Sequence, residues 1–260
     1  NTHVVWGVSV RTEDRVKIKL VVGGREREVE VKKNTPLPAV YDDLKSELFA
    51  SKDTVVLQPI TAVFLYSNGS KVATVSVSSK SYDSQSYTCT FTAQYNATSQ
   101  VTVDELRLGY SDKGQSREYY SVQISPLTIP AGGSLRVQWT VRWFMGVLSA
   151  GGILSTATQY IQGLLLAIVM RLVGQFSNSL RIAGVVAYYA GSQVLSLTPN
   201  VDASNLNVSV VSYTFSQQAT IQEVYLVNSS GYRLIGFILP NPITFNQGDQ
   251  LSLVFTFNIT

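Results

Sequence analysis

Pro126-Leu-Thr-Ile-Pro-Ala-Gly-Gly-Ser-Leu-Arg-Val-Gln-Trp-Thr-Val141 decides how this chain is read, because the chain says it twice. It returns without a gap as Pro242-Ile-Thr-Phe-Asn-Gln-Gly-Asp-Gln-Leu-Ser-Leu-Val-Phe-Thr-Phe257. Each copy reads as a short strand, a glycine-bearing turn and a strand with alternating apolar residues. The likeness extends upstream. Thr102–Leu108 aligns with Thr220–Leu226, and Ile60–Val72 with Ile182–Val194. The offset drifts from 122 residues at Ile60/Ile182 to 116 at Pro126/Pro242, as a few loop deletions would produce. Two copies of domain length indicate duplication of a domain, not a solenoid of short units.

Working outward, the front of the chain carries most of the charge. Residues 1–53 hold ten of the 20 Lys and Arg and nine of the 17 Asp and Glu. Val4, Trp6, Val8 and Val10 alternate, marking a first strand with one apolar face. Arg15–Val22, Gly23-Gly24 and Arg25–Lys32 spell a hairpin, because paired glycines supply the positive φ angles of a tight turn. In that hairpin Val16, Ile18 and Leu20 should meet Val29 and Val31, with Lys17 and Lys19 facing Glu28 and Glu30 on the wet side. A helix follows from Pro36 to Lys52, with Val40, Leu44 and Leu48 on one face. Its Asp42-Asp43 pair is adjacent, so the two carboxylates diverge, and a preference for negative charge at a helix N-terminus accounts for them.

Seven strands are expected between Thr54 and Trp143, at 54–58, 60–66, 71–78, 86–95, 103–110, 117–124 and 134–143. Six more are expected at 182–189, 193–198, 206–215, 220–227, 232–238 and 250–258. Trp143–Met170 contains no charged residue. Its length permits a membrane helix, but its glycines and its Ser, Thr and Gln residues oppose one. By analogy with the first helix, Gln159–Phe176 is the helix of the second copy. It is apolar on nearly every side, so it should be sheltered between domains or between subunits. The expected architecture is mainly β. It has two tandem duplicated antiparallel β-sandwich (jelly-roll-like) domains, each preceded by a helix. The charged hairpin and helix occupy 1–53, the first sandwich 54–143, an apolar helical connector 144–181 and the second sandwich 182–260.

The residues for familiar chemistry are missing. His3 and Cys89 are the sole members of their types, so neither a catalytic triad nor a zinc cluster can be assembled, and an intrachain disulfide is excluded. No phosphate-cradling glycine motif occurs. Cys89 falls on the apolar face of its strand and reads as a buried, inert thiol. Asp104 or Glu105 with Glu223 could furnish paired carboxylates, yet Glu105 and Glu223 are equivalent positions of the two copies and point to a repeated structural need. Asp112 and Asp249 lack the spacing of a compact calcium loop. No cofactor, metal or catalytic residue is expected. The formal charge of +3 comes without a basic stripe interleaved with aromatics, so no nucleic-acid partner is expected. Five sequons give candidate glycosylation positions at Asn68, Asn96, Asn207, Asn228 and Asn258. They favour a secreted or particle-surface location. The first residue is Asn1, a start that a cleaved signal peptide, maturation by another protease or trimming would each leave, and the sequence does not separate the three.

The twice-used pattern, carried by Thr102–Leu108 with Pro126–Thr140 and by Thr220–Leu226 with Pro242–Thr256, resembles β-sandwich virion structural proteins of phages and of viruses of hyperthermophilic archaea. That resemblance implies assembly rather than catalysis: a capsid, tail or surface-appendage subunit whose partners are copies of itself and other structural subunits. The expected assembly interface comprises Val4, Trp6, Val8 and Val10 on the first strand and Leu164, Leu165, Ile168, Val169 and Leu172 on the apolar helix. The location would be the virion, with membrane contact the lesser expectation. A cellular extracellular filament subunit or adhesin polymerising by strand donation is the alternative. A carbohydrate-binding module with exposed Trp and Tyr on one sheet face is a third reading.

Overall fold

A computed structural model describes residues 1–152 and 159–260. Strand accounts for 64% of the chain, alongside two short helices. The central element is β1 (Thr2–Val22), a single strand of 21 residues. Val4, Trp6, Val8 and Val10, then Ile18 and Leu20, are buried on one side, and the odd-numbered residues from Arg11 to Lys19 are exposed on the other. This period-two pattern is what a half-buried strand requires. The first strand and the hairpin strand are therefore continuous. Gly23 and Gly24, at φ 57° and 78°, turn the chain into β2 (Arg25–Val29). Ile18 faces Val29 and Lys19 faces Glu28, as expected of the hairpin. Val31 differs: it opens β3 (Val31–Pro36), which leaves for another sheet and pairs with Ile124.

The remaining elements run in order. The first half supplies α1 (Pro38–Leu48), β4 (Ala62–Ser67), β5 (Ser70–Ser76), β6 (Ser79–Asp83), β7 (Thr88–Asn96), β8 (Val101–Asp112), β9 (Gln115–Ile129) and β10 (Ser134–Gly152). The second supplies β11 (Gln159–Ile161), α2 (Gly163–Leu172), β12 (Gly184–Tyr189), β13 (Ser192–Leu197), β14 (Asn200–Asp202), β15 (Asn207–Thr214), β16 (Ala219–Val227), β17 (Arg233–Phe245) and β18 (Gln250–Ile259). Two five-stranded sheets have the orders β3-β9-β8-β4-β5 and β11-β17-β16-β12-β13, which match position for position. An eight-stranded sheet has the order β14-β15-β18-β1-β10-β7-β6, with β2 paired to β1. Within it β1 is antiparallel to β10 and parallel to β18, so β10 and β18 run in opposite directions on its two sides. The strands of 54–143 and those of 182–260 thus meet in one sheet. Beneath it one connected hydrophobic cluster runs through both halves.

Several expected elements differ, each for a local reason. Residues 54–58 form no strand. The Val56 and Leu57 N–H groups donate to the Glu47 carboxylate at 2.8 and 3.0 Å, and the Gln58 N–H to the Tyr119 hydroxyl at 2.9 Å, so side chains replace a ladder. The helix expected over 159–176 is shorter. Gln159–Ile161 pair with β17, and Gly163 at the helix start lies so close to Arg233 that a Cβ there would sit 2.0 Å from its carbonyl oxygen. Gly174, at φ 82°, ends the helix, with the Gln175 N–H donating back to the Met170 carbonyl at 2.7 Å. Strand β10 runs nine residues past Trp143, because β1 extends alongside it. The short β6 and β14 are strands that no periodicity announced. The part of the 144–181 connector at 153–158 lies outside the described residues.

Candidate assembly surface

The apolar residues expected at an assembly interface lie in the core of the chain itself. Val4, Trp6, Val8 and Val10, with Leu164, Leu165, Ile168, Val169 and Leu172, are each at most 1% exposed. Trp6 stacks on Tyr160 at 5.3 Å and meets the edges of Phe237 and Phe255 at 5.9 and 5.8 Å. Helix α2 packs against β17, β10 and β7. A helix apolar all round is sheltered here by its own chain, which corrects the intersubunit assignment. All three tryptophans are at most 1% exposed, so none of them can serve the aromatic platform of a carbohydrate-binding module, while Tyr189 is 39% exposed.

The residues weighed for chemistry are engaged singly. Cys89 is buried, and burial pushes its thiol well above the ordinary range. His3 is not in a loose terminus; it sits exposed within β1, opposite Ser252. Glu105 and Glu223 belong to different sheets and hold equivalent places, opposite Tyr66 and Tyr188. Burial acts to raise the Glu105 carboxyl, but hydrogen bonds from Arg107 and Ser121 bring it below its usual range. Glu223 accepts the Tyr225 hydroxyl at 2.8 Å, and burial followed by that bond lifts the phenol to about 12. Asp104 and Asp249 each take a turn N–H, from Asn68 and Asn246, and Asp112 accepts the Tyr110 hydroxyl. Among the described residues no group of three or more His, Cys, Asp or Glu could hold a metal ion, and no helix is long and apolar enough to cross a membrane.

Asp42 and Asp43 diverge as expected, but a helix N-terminus does not explain them, since the first turn of α1 holds no acidic residue. Asp42 points outward to Lys45, while Asp43 is buried, taking two hydrogen bonds from Arg117 and one from Tyr119 at 2.7 Å. One turn on, Glu47 forms a fully buried ion pair with Arg171 of α2 at 2.7 Å. Glu47 also accepts the N–H groups of Val56, Leu57 and Leu180, and Arg171 also donates to the carbonyls of Leu57, Phe176 and Asn178. With four of the five Arg171 N–H groups and both Glu47 carboxylate oxygens engaged, these charges are tolerable in the core. Nothing in the local sequence signalled this pair.

Among the described residues, what remains available is the outer face and one edge of the eight-stranded sheet. β7 accompanies β10 only as far as Arg142. Beyond the bond from Trp143 N–H to the Tyr87 carbonyl, residues 144–151 have ladder partners among the described residues only on the β1 side. This run, Phe144-Met-Gly-Val-Leu-Ser-Ala-Gly151, carries no charge and no proline, the usual protections of a sheet edge. A bulge at Leu148, where the register shifts opposite Gly7/Val8, leaves that side chain 60% exposed beside Val147. On the adjoining face Val5 and Val254, paired across β1 and β18, are 43% and 37% exposed, and Val211 stands 71% exposed. Of the five sequon asparagines, Asn68, Asn96 and Asn258 are exposed and Asn207 half-buried. Asn228 is the exception. Its side chain is buried, donating to the Ser179 carbonyl and accepting from Ser230 and Tyr232, so a glycan does not fit there in the folded chain.

No protein-family model, curated protein or solved structure matches this chain.

Proposed function

We propose that this chain is a non-enzymatic structural subunit that assembles with copies of itself, in a virion capsid, tail or surface appendage. The observation that carries the proposal is the uncharged edge 144–151 with its exposed Val147 and Leu148. A long apolar edge without charge or proline is a ready template for another strand. In this reading the fold is a duplicated β-sandwich with a helix heading each copy, fused through β1. Matching sheet orders support the duplication, as do hydrogen bonds that recur at equivalent positions. Ile60 N–H donates to the Leu172 carbonyl and Ile182 N–H to that of Leu48, at 2.8 and 2.9 Å. Thr102 and Thr128 pair through their hydroxyls at 3.2 Å, and Thr220 and Thr244 at 3.0 Å.

Light scattering on the purified chain, without detergent, tests this. The native chain should form large discrete particles, and Leu148→Lys with Val147→Lys should give monomers of unchanged thermal stability. A native monomer at high concentration, or particles unaffected by both lysines, would sink the proposal.

A second reading, an extracellular cellular filament subunit or adhesin joined by strand donation, is favoured by one feature: residues 2–10 lie as a guest strand between β10 and β18. In a polymer a neighbour's strand would fill that place. Oxidation of the Val5→Cys/Val254→Cys variant separates the readings. An intrachain bond leaves single chains on a non-reducing gel, whereas donation gives a covalent ladder.

A further inference from the structure

The outer face of the eight-stranded sheet changes character along β1, and its two ends provide an internal control. At one end, exposed Arg11, Arg15, Lys17 and Lys19 on β1 stand beside Arg136 and Arg142 on β10. The equivalent positions of the second copy, on β18, carry Ser252 for Arg136 and Asn258 for Arg142, with Val254 for Gln138 and Thr256 for Thr140. The matching strand, on the other side of β1 in the same sheet, forms without those cations. Folding does not explain their presence.

We propose that this cationic end binds a linear acidic polysaccharide, one bearing carboxylate or sulfate groups. Alternate residues of a strand stand about 7 Å apart, so Arg15, Lys17 and Lys19 make an evenly spaced row along one direction. Lys17, Lys19 and Arg136 border a shallow depression of about 500 Å³ whose other walls include Gln94, Gln138 and Thr92. Cations flanked by neutral amides and hydroxyls suit a chain that alternates anionic groups with sugar hydroxyls. The local anions do not neutralise the row. Glu26 takes Arg136 and Lys19, and Glu13 takes Arg11. Arg15, Lys17 and Arg142 form no ion pair among the described residues, and Arg142 shares the Phe144 ring with Arg11, at 4.6 and 4.2 Å.

Other occupants fit less well. A second copy offers few free carboxylates: Asp83, Asp104, Asp202 and Asp249 serve turn N–H groups, Glu105 and Glu118 are held by Arg107, and the exposed Glu28 and Glu30 lie between Arg27 and Lys32 along the chain. For a single-stranded nucleic acid, the aromatic of this row, Phe144, already lies under two guanidiniums and is no stacking platform. A flat sheet face also presents no helix or ribbon to a duplex groove.

The test is binding of the full chain to polygalacturonate and dextran sulfate, with neutral dextran and duplex DNA alongside. The expected result is binding to one or both acidic polysaccharides, none to dextran, and at least a roughly tenfold loss between about 50 and 200 mM salt. Lys17→Gln/Arg136→Ser/Arg142→Asn, two of whose changes install the second copy's residues, should weaken binding tenfold or more with the thermal midpoint kept. Removing three exposed lysines elsewhere, Lys33, Lys52 and Lys113, matches the change in net charge and should leave binding intact. Should the triple variant unfold, Lys17→Gln alone, which removes no ion pair, should still weaken binding severalfold. No binding at low salt, equal loss in both charge-removal variants, or tighter binding to DNA than to either polysaccharide would overturn the proposal. None of these outcomes depends on whether the chain assembles.

Discussion

The two halves agree where the backbone needs satisfying and disagree where a charge is placed. Ala97 and Phe215 make the same reciprocal pair of bonds to the turns at 132–133 and 248–249, all at 2.8–2.9 Å. The helix ends exchange carbonyls with Ile60 and Ile182. Yet the next-to-last residue of α1 is Glu47 and that of α2 is Arg171, and these two equivalent positions meet in the core as an ion pair. Two identical copies would have put two groups of like charge there, which burial disfavours unless one of them is neutral. The difference teaches that the halves are complementary at this point and not merely similar. The matched bonds hold each fold, and the mismatched charges hold one half to the other.

Breaking the mismatch should therefore have the largest effect. Glu47→Ala or Arg171→Ala leaves one buried charge uncompensated and should cost about 3–5 kcal/mol, read as a lowered urea midpoint. The double exchange Glu47→Arg/Arg171→Glu should fail to restore stability. Position 47 faces the N–H groups of Val56, Leu57 and Leu180, which an arginine cannot accept, and position 171 faces carbonyls, which a glutamate cannot use. Recovery by the exchange would show that the pair acts by charge alone.

A second comparison lies within β1. Its inner face is wholly apolar at Val4–Val10, against Tyr160 and Phe237 of the second half. Farther on it is polar, with the Thr12 hydroxyl 2.7 Å from that of Tyr120 and Asp14 accepting the Trp139 indole N–H at 2.8 Å. Burial raises the Asp14 carboxyl to about 6, against the lowering influence of the Trp139 bond. The fold thus favours its neutral form. The associated stability is fully present below the unfolded value near 3.8 and is lost as pH rises through about 6. A shift of about two units corresponds to roughly 3 kcal/mol. Asp14→Asn should be more stable than the native chain at pH 7 by up to about that amount, and the gap should close by about pH 4. A gap that does not change with pH would show that the carboxylate is not desolvated as drawn. The polar end of β1 would then differ from the apolar end only in composition.

How much of this was written in the sequence follows from the range of the interactions. Alternation at Val4–Val10, the Gly23-Gly24 turn and the repeated cassette are local, and they foretold strands, a hairpin and matched halves. The parallel pairing of residues 2–10 with 251–259 joins segments whose affinity no local pattern expresses. Nor could the segment 54–58 reveal that its N–H groups would go to Glu47 and Tyr119 rather than to a ladder. The candidate interface failed for a different reason. Leu164, Ile168 and Val169 have the composition of a surface that must be covered, and composition is silent on whether the cover comes from the same chain or another. The interface proposed above rests instead on a strand edge that lacks charge and proline from 144 to 151.

The smallest expected effect comes from the matched contacts, and it is the sharpest test of whether the halves carry equal weight. Thr102–Thr128 and Thr220–Thr244 are directly opposed pairs on β8–β9 and β16–β17, exposed to solvent in both places. A hydroxyl pair across neighbouring strands contributes about 0.2–1 kcal/mol. Replacing either member by alanine should therefore cost a few tenths, and Thr102→Ala and Thr220→Ala should cost the same. These sites share no partner, so the double variant should show the sum. Equality would mean that the unfolding transition senses both halves as one body, as a shared core and a common strand β1 require. If Thr220→Ala left the main transition unmoved and shifted a separate, earlier one, the second half would be unfolding on its own. The Glu47–Arg171 pair would then be a contact between two independent folds rather than the centre of one.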